Sequence, residues 1–415
     1  MTLETTFVVV GAGLAGAKAV ETLRAEGFPG RVVLVGREDE RPYERPPLSK
    51  DYLTGSKARD TIYVHDADWY TDHQVELLLG TPAIELDLGR HELVAASGQR
   101  LAFNKMLLAT GSTPRRLTIP GADLDGIRYL RRAEDADQLR VDISGGDRHV
   151  VIVGGGWIGL EVAAAARGYG NDVTVIEPQT TVLNAALGQQ MGEVFADLHR
   201  AHGVRLLTDH GVQGFEGAAG RVTSVQLTSG EPLAADVVLV GVGAQPEVAL
   251  AQEAGLSVDN GVLVDASLQT SHPDVYAAGD IANTYNPLLG RHLRVEHWAN
   301  ALHSGPAAAR AMLGHPVSYD RLPYFYTDQY DLGLEYTGAI GPDGYDQLVV
   351  RGDQDHRTFV AFWLKDGRVL AGMNVNTWDV ADSIQALIRS QAVVDPQRLA
   401  DIDVPLDELA DTASA

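Results

Sequence analysis

Residues 7–16 read Phe7-Val-Val-Val-Gly11-Ala-Gly13-Leu-Ala-Gly16, and residues 149–159 read His149-Val-Val-Ile-Val-Gly154-Gly-Gly156-Trp-Ile-Gly159. Each stretch is a short apolar strand that leads into Gly-x-Gly-x-x-Gly and then into an alanine-rich helix. In this fingerprint the first glycine allows a tight turn, the second lets the backbone approach a diphosphate, and the third lets helix and strand pack closely. The diphosphate lies at the positive end of the helix. Two such copies predict two dinucleotide-binding sites in one chain.

The sequence that follows each fingerprint is also duplicated. Each copy continues with a second apolar strand, a hairpin-like stretch and a third apolar strand that ends at a glycine. These segments are residues 31–35, 91–101 and 106–109 with Gly111 in the first copy, and 172–176, 221–233 and 237–240 with Gly243 in the second. The pattern predicts an α/β fold with two Rossmann-type nucleotide-binding domains.

The pattern of residues in the sequence changes near residue 320. A helix-like stretch covers 299–313, and beyond 320 aromatic and alternating segments are separated by Asp-Gly turns at Asp343 and Asp366. Such turns between alternating segments are typical of antiparallel hairpins. With a helical stretch at 379–390, they predict a separate C-terminal α+β domain. Residues 411–415 are expected to be frayed.

Charge and composition exclude several classes of protein. The 415 residues include 33 Lys and Arg against 56 Asp and Glu, a formal net charge of −23. Binding to nucleic acid or to an anionic membrane needs net or clustered positive charge, so neither partner is expected. No apolar run reaches the length of a membrane span. No basic segment precedes the first strand, so we expect no signal peptide.

The chain contains no cysteine. It therefore has no disulfide, no thiolate zinc site and no iron–sulfur cluster of its own, and histidine spacing indicates no metal site either. Two dinucleotides in one chain usually exchange electrons, and here those electrons cannot pass through a protein disulfide. The predicted location is cytoplasmic.

Four further motifs extend across the chain. They are Arg45-Pro-Pro-Leu-Ser-Lys50, Leu108-Ala-Thr-Gly111, Gly279-Asp280 and Glu296-His-Trp-Ala-Asn-Ala301. With the two fingerprints, this set resembles the NADH-dependent ferredoxin reductases of bacterial aromatic-ring dioxygenase and cytochrome P450 systems. The Pro-Pro-Leu-Ser-Lys block distinguishes this group from the disulfide reductases, which carry redox cysteine in the same region.

The resemblance implies a flavoprotein with two dinucleotide-binding domains of glutathione-reductase-like fold. Its FAD domain would comprise residues 1–114 and 244–319, its NADH domain 115–243 and its C-terminal interface domain 320–415. Such an enzyme takes hydride from NADH onto FAD. It then passes single electrons to a [2Fe–2S] ferredoxin that supplies a cytochrome P450 or Rieske-type oxygenase.

The resemblance also assigns residues to the FAD site. Lys50 is expected near the flavin N5, where its charge would stabilise the reduced ring; the alternative is an ordinary exposed lysine. Either Arg37 or Glu38 would contact the adenosine end, or both would be solvated surface. Asp280 would bind the ribityl chain or serve as a helix N-cap, and Trp298 would stack near the flavin or only pack. The full set is Gly11, Gly13, Ala15, Gly16, Arg37, Glu38, Arg45, Lys50, Ala83, Thr110, Gly111, Arg131, Asp280 and Trp298.

A second set is assigned to the NADH site. Glu161 is expected beside the nicotinamide and Lys50, with a surface glutamate as the alternative, and Trp157 would gate the flavin face or fill space. Glu177 ends the second strand, where a carboxylate can accept both adenosine-ribose hydroxyls, so NADH should be preferred over NADPH. The full set is Gly154, Gly156, Trp157, Ile158, Gly159, Glu161, Glu177 and Gly243.

Other acceptors and a different class of protein remain open from the sequence. A related flavoprotein could reduce rubredoxin, a quinone or dioxygen, and an NADH-sensing flavoprotein would show little turnover. Because ferredoxins are usually acidic, a local basic surface is expected to dock one. The candidates are Arg115 with Arg116 and Arg291 with Arg294, unless these arginines simply pair with the abundant carboxylates.

Overall fold

The structure is a computed structural model that describes residues 5–411. The predictions for the two ends of the chain, no signal peptide and a frayed C-terminus, concern residues 1–4 and mainly 412–415. Both stretches lie outside the described residues.

The strands are short and follow one another closely along the chain. In order they are β1 (Thr6–Val10), β2 (Arg31–Val35), β3 (Val75–Leu78), β4 (Ala83–Asp87), β5 (Glu92–Ala95), β6 (Arg100–Ala102), β7 (Lys105–Leu108), β8 (Ser112–Pro114), β9 (Ile127–Arg128), β10 (His149–Val153), β11 (Asp172–Glu177), β12 (Arg205–Thr208), β13 (Val212–Ala218), β14 (Arg221–Leu227), β15 (Pro232–Ala234), β16 (Val237–Val240), β17 (Ala244–Pro246), β18 (Val262–Val264), β19 (Val275–Ala277), β20 (Ala282–Asn286), β21 (Arg291–Arg294), β22 (Tyr324–Gln329), β23 (Leu332–Gly338), β24 (Gln347–Asp353), β25 (Thr358–Lys365) and β26 (Arg368–Val375).

The helices include one directly after each fingerprint strand. In order they are α1 (Leu14–Ala25), α2 (Ala67–Asp72), α3 (Ala133–Ile143), α4 (Trp157–Gly168), α5 (Asn184–Leu187), α6 (Gln189–Ala201), α7 (Ala249–Glu253), α8 (Trp298–Met312), α9 (Ala381–Ser390), α10 (Pro396–Ala400) and α11 (Leu406–Asp411). Short 3₁₀ helices cover Pro46–Ser49, Arg59–Ile62 and Gly279–Ile281.

The chain forms two units, each assembled from three segments. The first unit comprises Met1–Glu44, Asp60–Thr113 and Gln245–Phe325, and the second comprises Arg45–Arg59, Pro114–Ala244 and Tyr326–Ala415. The segment that carries the Pro-Pro-Leu-Ser-Lys block therefore belongs to the same unit as the second fingerprint. The four-part domain division expected from the resemblance stays a prediction.

A five-stranded parallel sheet lies at the centre of the first unit, in the order β19-β7-β1-β2-β3. Its strands are apolar throughout because both faces are covered: Val8, Val33 and Leu107 are completely buried. Helices α1 and α8 meet so closely that a Cβ added to Gly305 would lie 2.2 Å from the Ala15 carbonyl oxygen.

The second unit repeats this architecture. Its parallel sheet has the order β12-β11-β10-β16-β9, and the antiparallel sheet β13-β14-β15 corresponds to β4-β5-β6 of the first unit. The predicted duplication and the hairpins are confirmed. The fifth strand differs between the copies: β19 follows the rest of its sheet in sequence, whereas β9 precedes the fingerprint strand β10.

The C-terminal part of the second unit is a five-stranded sheet in the order β22-β23-β26-β25-β24. The pairs of β25 with β24 and β26 are antiparallel, and α9 packs on the sheet where Ile384 contacts Gly372. The predicted α+β texture beyond residue 320 is confirmed, as is the helix near 379–390.

Candidate active site

The first fingerprint leaves open space beside its middle glycine. Gly11 has a φ of +121°, and a Cβ there would lie 2.0 Å from the Ala109 carbonyl oxygen. A Cβ on Gly16 would lie equally close, 2.0 Å, to the Gly11 carbonyl oxygen. A Cβ on Gly13 meets no described atom within 4 Å, and buried Ala15 follows in the first turn of α1. The turn thus fits a diphosphate at the N-terminus of α1.

The three glycines of the second fingerprint have the same surroundings as those of the first. Gly154 has a φ of +108°, and its added Cβ would lie 2.4 Å from the Gly241 carbonyl oxygen. An added Cβ on Gly159 would lie 2.2 Å from the Gly154 carbonyl oxygen, while one on Gly156 meets no described atom within 4 Å. The chain therefore has two positions of one kind, each suited to a dinucleotide diphosphate.

The carboxylate of Glu177 is held at the second fingerprint by two backbone amides. Its Oε2 accepts from the Gly155 amide at 2.8 Å, and its Oε1 accepts from the Gln179 amide at 3.0 Å. The half-buried side chain is thereby oriented at the end of β11. An ionised carboxylate has about four acceptor positions, so about two remain for ribose hydroxyls.

Three other residues of the predicted NADH set lie in the same unit. Trp157 begins α4 and packs edge-to-face on Phe195, with ring centroids 5.7 Å apart, which favours the space-filling interpretation. Ile158 is exposed. Gly243 has a φ of +98°, and its carbonyl accepts from the Arg115 amide at 2.9 Å.

Lys50 and Glu161 form a buried ion pair. Their side chains are only 12% and 7% exposed. The Ser49 hydroxyl donates to Glu161 Oε2, and the Thr327 hydroxyl donates to Glu161 Oε1 at 2.6 Å. The alternatives of an exposed lysine and a surface glutamate are both wrong, because both side chains are largely buried. Burial of a charged group costs free energy unless it is paired, and here each charge pairs with the other.

The candidates for the adenosine end of the first site have different partners. The exposed Arg37 forms an ion pair with Glu247 at 2.7 Å, and the half-buried Glu38 accepts from the Tyr43 hydroxyl. Ala83 is the first residue of β4. Which of Arg37 and Glu38 contacts the ribose stays a prediction.

The glycine turn after β7 is hydrogen-bonded to Glu247, two residues before α7. The Thr110 hydroxyl donates to the Glu247 carbonyl at 2.9 Å, and the Gly111 carbonyl accepts from the Glu247 amide at 3.0 Å. Gly111 has a φ of +72°, which a residue with a side chain adopts only with strain. These bonds fix the turn that the resemblance assigns to the FAD site.

Asp280 is buried inside the 3₁₀ helix Gly279–Ile281, whose N-cap residue is Ala278. The N-cap alternative for Asp280 is therefore wrong, and β20 begins directly after this helix. The Asp280 Oδ2 accepts from the Ser112 hydroxyl at 2.7 Å. The Ser112 hydroxyl thus helps to hold this buried carboxylate in place, and its predicted contact with the ribityl chain stays a prediction.

Trp298 is the first residue of α8 and is half-buried, directly after the N-cap residue His297. Burial lowers the pKa of His297 to about 4, so its ring is neutral near pH 7. The centroid of the His297 ring lies 4.7 Å from the centroid of the Phe325 ring. Stacking near the flavin and simple packing both remain open for Trp298.

The side chain of Arg45 contacts the backbone of Arg131 within the second unit. The Arg45 guanidinium donates to the Arg131 carbonyl, and the Arg131 amide donates to Asp135 Oδ2 at 3.0 Å. Asp135 lies in the first turn of α3, where a carboxylate is stabilised by the helix dipole. This arrangement fixes both arginines relative to α3.

The four candidate docking arginines differ in environment. Arg115 and Arg116 are exposed, and Arg291, the first residue of β21, is half-buried. Arg294 is only 10% exposed, is paired with Glu296, and donates to the Asp280 carbonyl. Its proposed contribution to a basic docking surface is therefore wrong, because its charge is already neutralised and largely covered.

Sequence reasoning missed several polar residues around Glu161. They are Ser49, His199, Thr327 and Gln329. Ser49 stands in the Pro-Pro-Leu-Ser-Lys block, and that position was the only available signal. The other three come from segments far apart in sequence, and no local pattern joins them.

Comparison with known proteins defines the class of this chain. Residues 5–305 match the family model described as pyridine nucleotide-disulphide oxidoreductase, and residues 324–410 match that described as reductase C-terminal. The chain belongs to the pyridine nucleotide-disulphide oxidoreductase family. This membership confirms the predicted oxidoreductase class, the two dinucleotide-binding domains and the cofactors FAD and NAD(H).

Among its relatives, the chain is 40% identical over 404 residues to the ferredoxin–NAD(+) reductase component of the anthranilate 1,2-dioxygenase system of Burkholderia cepacia, covering 96% of this chain and 98% of that protein. It is 37% identical over 369 residues to a rubredoxin-NAD(+) reductase of Pseudomonas putida, covering 89% and 95%. The crystal structure of the covalent putidaredoxin reductase–putidaredoxin complex matches with a TM-score of 0.93, 35% identity and 99% coverage of both chains. The predicted resemblance is confirmed.

Within residues 5–411, none of the helices is both long and apolar enough to cross a membrane.

Substituting the glycines of the first fingerprint should separate binding from folding. We expect Gly13→Ala to fold normally but to lose FAD about tenfold more readily, because the new methyl group enters the space for the diphosphate. Gly11→Ala should lower the melting temperature, since its Cβ would collide with the Ala109 carbonyl. Flavin fluorescence after dialysis and thermal unfolding of the apoprotein measure the two effects. Equal FAD retention in wild type and Gly13→Ala would contradict the assignment.

Proposed function

We propose that this protein is an NADH-dependent ferredoxin reductase. It takes hydride from NADH and passes single electrons to a [2Fe–2S] ferredoxin, which supplies a cytochrome P450 or Rieske-type oxygenase. The relatives named above support the reductase assignment, and the structure that matches at a TM-score of 0.93 is a reductase–putidaredoxin complex. A cytoplasmic location is part of the proposal.

The observation that carries the proposal is a cysteine-free chain with a buried Lys50–Glu161 pair. Members of this family that act on disulfides need cysteine to receive electrons from the flavin. This chain has none, so the electrons must leave directly to an external acceptor. A soluble iron–sulfur protein is an acceptor that needs no covalent chemistry from the reductase.

The residues of this chain supply binding, orientation and charge. FAD accepts two electrons together and releases them one at a time. The open positions at Gly13 and Gly156 receive the two diphosphates, and Glu177 orients the adenosine ribose of NADH. The ammonium group of Lys50 would stabilise the negative charge of the reduced flavin ring, and Glu161 holds that ammonium group in place.

A rubredoxin is the second candidate acceptor. The Pseudomonas putida relative favours it, since its 37% identity is close to that of the ferredoxin-dependent relative. Both acceptors are small iron proteins, so the reductase half of the reaction would be the same. The exposed Arg115 and Arg116 remain candidate contacts for an acidic partner.

The acceptor can be tested with purified protein containing FAD. We expect NADH to support cytochrome c reduction that depends on added [2Fe–2S] ferredoxin, with little activity when ferredoxin is omitted. Rubredoxin in place of ferredoxin tests the second candidate. Stoichiometric flavin reduction without turnover on either partner would instead indicate an NADH sensor, and a colourless protein that takes up no FAD would refute the proposal.

A further inference from the structure

A line of buried polar side chains leads away from Glu161. The Thr327 hydroxyl oxygen lies 2.6 Å from Glu161 Oε1, and Gln329 Nε2 lies 3.2 Å from that hydroxyl oxygen. His199 Nε2 lies 2.8 Å from Gln329 Oε1, and the Tyr330 hydroxyl lies 3.4 Å from His199 Nδ1. Thr327 and Gln329 project to the same side of β22 because they are two residues apart, and His199 comes from α6.

The chain of bonds has little contact with solvent. His199 is 0% exposed, and Thr327 and Gln329 are each 1% exposed. Buried polar groups are normally fully paired, because an unpaired one costs the free energy of its lost hydration. Each donor in this line must therefore meet an acceptor.

The ion pair settles the direction of every bond in the line. An ionised Glu161 can only accept, so the Thr327 proton must point to it. Lys50, whose Nζ lies 3.4 Å from the Thr327 hydroxyl oxygen, can only donate. That oxygen therefore accepts from the Gln329 amide nitrogen. The Gln329 carbonyl then faces His199, whose Nε2 must carry a proton.

The tautomer of His199 is thus coupled to Glu161. Burial lowers the pKa of His199 to about 4, so near pH 7 the neutral ring carries its proton on one nitrogen. A proton on Nδ1 would require the Gln329 amide to turn over and present its carbonyl to Thr327. The Thr327 hydroxyl would then donate to Gln329, and Glu161 would lose a hydrogen bond.

We propose that His199 and Gln329 are positioning residues for Glu161. The Nε2–H tautomer of His199, transmitted through Gln329, keeps the Thr327 hydroxyl donating its hydrogen bond to Glu161 and so holds this carboxylate against Lys50. The role of the Lys50–Glu161 pair in hydride transfer rests on the proposed function. The hydrogen-bond arrangement itself does not, and it can be measured separately.

The tautomer is measured by nitrogen NMR of the holoprotein with selectively ¹⁵N-labelled histidine. We expect the His199 ring, identified by the signals that disappear in His199→Phe, to show a protonated Nε2 and an unprotonated Nδ1 at pH 7. In Gln329→Met this preference should be lost, because the acceptor that holds the proton is gone. A wild-type ring protonated on Nδ1 would overturn the proposal.

The functional consequence is measured by stopped-flow reduction of the flavin across NADH concentrations. We expect Thr327→Val to lower the limiting rate about tenfold, because a hydrogen bond to the charged Glu161 is lost. Gln329→Met should lower it in the same direction, because the Thr327 hydroxyl oxygen loses the donor that directs its proton toward Glu161. The apparent Kd for NADH should change by less than about twofold, since the diphosphate site is untouched. Thr327→Ser keeps the hydroxyl and should restore the rate.

A double variant separates positioning from a loss of packing. If Gln329 acts through Thr327, adding Gln329→Met to Thr327→Val should lower the rate no further. Independent, additive losses would overturn the proposal. His202→Phe is the matched control, because His202 is not a member of the hydrogen-bonded line: it stacks on Tyr330, with ring centroids 3.7 Å apart, and its Nδ1 lies 2.8 Å from the Leu198 carbonyl oxygen. This change should leave the rate unaltered.

The results also distinguish this proposal from the proposed function. Absence of NADH-dependent flavin reduction in the wild type would refute the proposed function, whatever the tautomer. Normal wild-type reduction that falls in Lys50→Met but is unchanged in Thr327→Val and Gln329→Met would refute the positioning role alone.

Discussion

Replacing Lys50 with Met is expected to slow the reduction of the flavin by NADH about 100-fold, which corresponds to about 2.7 kcal/mol of transition-state stabilisation. An ammonium group at a site with little water interacts strongly with developing negative charge, and methionine keeps the length of the side chain without the charge. Lys50 is only 12% exposed, so water cannot replace its charge easily. Stopped-flow absorbance at saturating NADH measures the limiting rate.

The same substitution should also lower the stability of the protein. Removing Lys50 leaves the Glu161 carboxylate buried with hydrogen bonds but without its counter-ion, and breaking a buried pair in this way costs about 3–5 kcal/mol. The double variant Lys50→Met/Glu161→Gln removes both charges and should regain most of the lost melting temperature. It should still reduce slowly, because the ammonium group is absent.

Lys57→Met is the matched control for this experiment. Lys57 lies in the same chain segment but is 54% exposed and pairs with the exposed Asp51. An exposed pair contributes about 0–1 kcal/mol, so both the rate and the melting temperature should stay near wild type. Unchanged reduction rates in Lys50→Met and in Glu161→Ala would remove both residues from the reaction.

The parts of the site that the sequence predicted are those set by local geometry. Gly11 and Gly154 need a positive φ and lie against a neighbouring carbonyl, and Gly16 and Gly159 lie against the turn itself. These requirements act within a few residues, so the motif carries them. The apolar strands were equally predictable, because a parallel sheet covered on both faces needs continuous apolar residues.

The parts that could not be predicted depend on contacts between distant segments. Glu161 receives hydrogen bonds from Ser49 and Thr327, and these three residues lie in three different segments of one unit. No spacing rule connects such positions. Arg294 shows the converse error: a basic residue in a suitable stretch was assigned to a surface, although Glu296 and the Asp280 carbonyl already bind it.

Glu177 is expected to make kcat/KM for NADH about 100-fold higher than for NADPH, equivalent to about 2.7 kcal/mol. Its carboxylate is oriented by the amides of Gly155 and Gln179, at 2.8 and 3.0 Å, so it cannot turn away from an approaching 2′-phosphate. That phosphate would bring a charge of about −1.5 to −2 against a fixed negative group. No arginine stands at residues 178–180 to neutralise it.

The contribution of this charge is tested by Glu177→Gln, which keeps the shape of the side chain and one carbonyl acceptor for the Gly155 amide, while the Gln179 amide loses its acceptor. We expect the NADH preference to fall about tenfold, mainly because NADPH is used better. Asp172→Asn is the control: it removes an exposed carboxylate from the other end of β11, about 16 Å away, where salt screens its charge. The ratio should stay unchanged in that variant. Comparable wild-type efficiencies with the two nucleotides, or an equal fall in both variants, would show that Glu177 does not select the nucleotide.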